Sequence, residues 1–107
     1  MSGRLTNARA ALSALRDYAD AAREAVAARV AVEGKADPGR LDAEQRAAHG
    51  FAWIATVVAA LDALTGWAEG LEAQARYGDG EALLIDLAFG EYAAQLVGGL
   101  PISANEF

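Results

Sequence analysis

Leu5, Ala8, Leu12, Leu15, Ala19, Ala22, Val26 and Val30 follow one another at steps of 3, 4, 3, 4, 3, 4 and 4. That rhythm is one apolar stripe on a helix, because residues three and four apart share a face. It predicts a first helix over about residues 6–32. Arg9, Arg16, Asp17, Asp20, Arg23 and Glu24 lie mostly off the stripe. Thr6 or Asn7 can serve as its N-cap. Much of the stripe is alanine, so a neighbouring helix can approach closely.

The pattern breaks over residues 33–40, "EGKADPGR". Gly34 suits the C′ position of the first helix, and Asp37-Pro38-Gly39 is turn chemistry. A break this short predicts a connection between antiparallel neighbours. A second helix follows over about residues 41–76. Asp42 and Gln45 have the spacing of a capping box, with aspartate in place of serine or threonine. Two stripes run along this helix: Ala47, Phe51, Ile54, Val58 and Leu61, then Trp53, Val57, Leu64, Trp67 and Leu71. A helix apolar on two faces must be covered on both. Gly66 and Gly70 each weaken a helix by roughly 1 kcal/mol relative to alanine, which predicts a kink or fraying at its far end.

Residues 75–81, "ARYGDGE", form the next break. Gly78 suits the end of one helix and Asp79 the N-cap of the next. A third helix is expected over about residues 80–97. Ile85, Phe89, Tyr92 and Leu96 make one stripe, and Leu84, Leu87, Ala88 and Glu91 a second. "GGLP" stops it, and the tail, residues 98–107, ends abruptly, as if the chain continued in something longer. The expectation is one all-α domain over 1–107: three helices, up-down-up, with the middle one most buried. Its uncovered faces predict completion by self-association, as a two-fold homodimer, or by a partner.

Composition narrows the function. Nine basic and fifteen acidic residues give a net charge of −6, which argues against a nucleic-acid binder or an anionic membrane surface. The apolar run from Phe51 stops at Asp62 after eleven residues, short of the roughly 20 that a spanning helix needs. The chain has no cysteine, which excludes disulfides and thiolate sites and fits a reducing cytoplasm. The N-terminus carries no apolar signal core.

Chemistry-bearing positions are few. His49 is the lone imidazole; without a second histidine the helical metal-binding pairs are absent. A packed or hydrogen-bonded histidine beside Gly50 is the simpler reading. Glu91 lies in the apolar stretch "AFGEYAAQL", where burial could raise its pKa for acid–base work. A salt bridge or a hydrogen bond to Tyr92, His49 or Arg46 is simpler. Trp53 and Trp67 could stack on a flavin or adenine, but filling a core or interface is the stronger reading. Gly98-Gly99 follows no strand and opens no helix, so it is no phosphate cradle. None of these makes an active site unaided.

Residues 44–103 carry a resemblance. "EQRAAHG" leads into an aromatic-rich helix with Trp53, and "LIDLAFGEYAAQLVGGLPIS" follows, with Phe89, Gly90, Glu91, Tyr92, Gln95, Gly98, Gly99 and Pro101. This string is similar to the N-terminal helical extension of a bacterial branch of the acyl-CoA dehydrogenase family, the methylsuccinyl-CoA dehydrogenases. The first helix matches in character alone. The resemblance implies a parent flavoenzyme in which FAD takes a hydride from the β-carbon while a glutamate removes the α-proton of an acyl-CoA thioester. The chain carries none of that catalytic body, so it is expected to hold no cofactor and to be non-catalytic by itself. Its role is then packing on the body or a neighbouring subunit, through a face bearing Phe51, Trp53, Ile54 and Tyr92. Two other readings stand beside it. One is a free-standing scaffold; the other is a small-molecule binder with a pocket lined by His49, Trp53, Glu91 and Tyr92.

Overall fold

The computed structural model describes residues 3–98. Helix α1 (Gly3–Val30) leads into a minimal hairpin of β1 (Ala31–Val32) and β2 (Lys35–Ala36). A short α2 (Pro38–Ala43), a long α3 (Gln45–Ala73) and α4 (Asp79–Gly98) follow. The all-α expectation holds, with two-residue strands as the sole exception among the described residues. The stop at "GGLP" and the tail lie past Gly98, outside the described residues.

The α1 stripe is buried as its spacing demands. Leu5, Ala8, Leu12 and Val30 are buried, and Leu15, Ala19, Ala22 and Val26 are half-buried. Arg9 pairs with Asp62 and Glu69 and Arg29 with Glu44, so α1 and α3 run antiparallel. Along α4, Ile85 packs with Leu5, Ala8 and Ala68, while Leu96 packs with Leu12, Ile54, Val57 and Leu61. Helix α4 therefore returns antiparallel to α3. By length and composition α3 could cross a membrane; here it is the central element, with its acids Asp62 and Glu69 paired to α1.

The connections differ from the sequence-based expectation, each for a physical reason. Gly34 does not end α1. Glu33 and Gly34, at φ +53° and +81°, form the two-residue turn of the hairpin, with Val32 opposite Lys35; that pair of positive φ values is what a tight hairpin turn requires. Asp37-Pro38-Gly39 opens a helix: the Asp37 carboxylate accepts from the Arg40 N–H at 3.0 Å, and Pro38 sits in the first helical turn, where its missing N–H costs nothing. The second helix thus divides into α2 and α3 at Glu44. Asp42 and Gln45 bond each other through their side chains and make no capping box, and α3 starts at Gln45 without a side-chain cap bond.

At its other end α3 continues unbroken through Gly66 and Gly70 and ends at Ala73, about three residues short of the expected end. It stops in a Schellman motif: Arg76 N–H donates to Leu71 O and Ala75 N–H to Glu72 O. The left-handed position is Ala75, at φ +57°, where glycine is usual. Gly78 instead begins the next helix. Its N–H donates to the Glu81 carboxylate at 3.0 Å, the reciprocal half of a capping box, so the cap lies one residue before Asp79.

The described body extends 52 × 31 × 16 Å. Packed helices lie about 8–10 Å apart, so the thin direction is two helices deep, and no further layer covers the outer faces. Leu61, 1% exposed, lies in the core of this slab. Leu61→Ala is expected to cost about 2–5 kcal/mol in urea unfolding. Ala75→Gly is expected to gain about 0.5–1 kcal/mol by relieving the left-handed backbone, read from the same curves.

Candidate functional site

Three features of the surface combine unusual chemistry with defined geometry. The first lies on the α1–α3 seam. Arg9 Nε donates to Glu69 Oε2 at 2.9 Å while its Nη2 meets Oε1, a two-pronged grip. Arg9 Nη1 donates to Asp62 Oδ1 at 3.1 Å, and Arg16 Nη2 reaches the same oxygen at 2.7 Å. Hydrogen bonds from Arg9 are the main cause holding both carboxyls below their usual range, against a smaller opposing effect of desolvation. The bonds to Glu69 and then Asp62 push the Arg9 pKa up. Carboxylates held ionised cannot serve as proton donors at neutral pH, so this cluster fastens two helices.

The second feature is a cavity of about 490 Å³ between the end of α1 and the start of α3. Small side chains make the space: Ala22 and Ala25 face Ala47 and Gly50, with Phe51 and Ile54 along the wall and Arg29, Glu44 and Arg46 at the rim. Of the seven residues singled out in the sequence, this cavity takes Phe51 and Ile54. The third feature is the outer face of α4, where Leu83, Leu84 and Leu87 are more than half exposed.

The other sequence candidates are spread over the surface and core. His49 is exposed. Trp53 is half-buried against the cluster of Leu12, Ile54, Val57 and Leu61. Trp67 is 44% exposed, so the second stripe of α3 is covered at Val57 and open at its aromatic end. Glu91 is exposed and accepts from Gln95 Nε2 at 3.0 Å; Tyr92 is 36% exposed. The expected face of Phe51, Trp53, Ile54 and Tyr92 does not form one surface: Phe51 lines the α1 side of α3, and Trp53, two residues on, points roughly 160° around the helix from it. Among the described residues no group of three metal-ligating side chains comes together.

Sequence reasoning passed over the ion cluster because each charge looks solvated in isolation. Its signal is the matched pair of seven-residue spacings, Arg9 to Arg16 and Asp62 to Glu69, which puts two bases and two acids on single helix faces. Because both carboxyl pKa values are depressed in the folded chain, the stabilisation is complete above the ordinary carboxylate range and is lost as pH falls through the depressed values. Arg9→Leu is expected to lower the urea midpoint at pH 7 and to flatten its decline toward pH 3; equal slopes in both proteins would contradict the assignment.

No family model matches the chain. Over 102 residues, 95% of this chain, it is 43% identical to the (2S)-methylsuccinyl-CoA dehydrogenase of Cereibacter sphaeroides. The chain spans 19% of that enzyme's length. The resemblance seen in residues 44–103 is therefore borne out and extends over α1 as well: the chain is similar, nearly end to end, to about a fifth of an acyl-CoA dehydrogenase-like protein.

Proposed function

We propose that the chain is a helical accessory domain of an acyl-CoA dehydrogenase-like protein, equivalent to an N-terminal extension, and that its work is packing against the catalytic body. The observation that carries this reading is coverage: 95% of the chain aligns, on one fifth of an enzyme. A mainly helical slab two helices deep supports it, because such a body leaves outer faces for a larger neighbour to cover. The ionised state of Asp62 and Glu69, held by Arg9, favours a structural role for the best-organised polar cluster. In this reading FAD and the acyl-CoA substrate belong to the body, and the chain alone binds neither.

Two measurements test it. The purified chain, incubated with FAD, (2S)-methylsuccinyl-CoA and an electron acceptor, is expected to show no turnover and to keep no flavin through desalting. Turnover would overturn the reading. Replacing the matching fifth of the Cereibacter sphaeroides enzyme with this chain is expected to give a soluble, flavin-bearing protein; a chimera that cannot retain flavin counts against it.

A further inference from the structure

Helix α4 covers part of the α1–α3 seam and stops short of the rest. In its first half Ile85 packs with Ala8, and Leu64 packs against the same cluster. Near its end Leu96 packs with Leu12, Ile54 and Val57. Steps of seven residues are close to two helical turns and keep to one face. On α3 the row Leu64, Val57 continues to Gly50. On α1 the row Ala8, Leu15 continues to Ala22 and Arg29. Both rows that α4 covers therefore run on into the cavity of about 490 Å³ that Ala22, Arg29 and Gly50 line. Ala22 and Ile54 adjoin the cluster that holds Leu96 and also line the cavity. The cavity lies on the path of α4, just past the place where the helix stops.

We infer that residues 99–107, which follow α4, dock in this cavity, with Leu100 and Ile102 against Ala22, Gly50 and Ile54. The direction suits: α4 runs antiparallel to α3, so the chain leaves it heading along the seam toward the cavity. The length suits: from Ile54 back to Ala47 is about 10 Å of helix, and residues 99–107 reach about 30 Å when extended. The side chains suit. Pro101 cannot continue a helix and biases Leu100 to extended backbone, which sets Leu100 and Ile102 on one side. They meet a floor of alanine and glycine that is short of side-chain volume, in a protein interior that packs densely. The charge suits: Glu106 is the one charged residue of the segment, and the rim carries Arg29 and Arg46 against Glu44. The rival occupant is a second copy of the chain. It must arrive from solution, whereas a segment tethered beside the cavity competes at an effective concentration on the order of millimolar. Nothing in this inference depends on the accessory-domain reading.

The chain has no cysteine, so Ser103→Cys gives a single attachment point for a nitroxide spin label. In the labelled chain the amide resonances of Ala22, Ala47 and Gly50 should broaden, while those of Trp67 and Leu71, toward the other end of α3, should stay sharp. Tenfold dilution should leave the broadening unchanged. When spin-labelled chain is mixed with isotope-labelled chain that carries no nitroxide, the resonances observed should stay sharp. Adding Leu100→Ser and Ile102→Ser should abolish the broadening at Gly50 with circular dichroism unchanged, because both positions lie outside the described helices. Glu106→Gln should reduce the broadening in low salt and have less effect in high salt. Broadening in the mixed sample would overturn the inference in favour of a second copy. Sharp resonances at Ala22, Ala47 and Gly50 in the labelled chain would overturn the docking, and broadening that survives the serine variant would overturn its anchors.

Discussion

The constraint on which the structure depends is the apolarity of α3. Twenty-nine residues long, it carries hydrophobic side chains around most of its circumference, and a helix of that kind must be surrounded. Helix α1 covers one flank with an alanine-rich stripe, close enough for arginines to reach acids across the seam. Helix α4 covers another with Ile85, Phe89 and Leu96. Two helices cannot cover every side of a third. The uncovered remainder appears at Trp67 on α3, and α4, in reaching inward, turns its own leucines outward.

Much of this was legible in the amino-acid order. All eight positions of the first stripe are buried or half-buried in α1, because a long uninterrupted 3–4 rhythm has one structural solution. The connections were harder. Glycine at 34 and 78 reads as a helix terminator, yet one sits in a hairpin turn and the other starts a helix. Glycine permits all of these conformations, and the choice is made by partners such as Glu81. Ala75 holds the left-handed position that propensity would assign to glycine, so the true end of α3 carries no mark in the sequence.

The candidate site was legible in composition and not in arrangement. Both stripes of α4 were visible, but periodicity cannot say which stripe a neighbour covers; Leu84, Leu87 and Glu91 read as equal in rank to Ile85 and Phe89. Charges at single positions look solvated until the pairing of helices brings Arg9 to Asp62 and Glu69. The hydropathy pattern set Phe51 and Trp53 on separate stripes, and they do diverge around α3; it was the family resemblance that merged them into one docking face. The face that matters is set by tertiary packing, and neither hydropathy nor spacing encodes that directly.

The charge carried by α4 has a consequence for how the molecule moves in a field. Arg9, Arg16 and Arg29 of α1 are matched by Asp62, Glu69 and Glu44, whereas the charged side chains of α4 are all acidic. Near a positively charged surface a body with its charge so divided experiences a torque before it makes any contact, and α4 turns toward that surface.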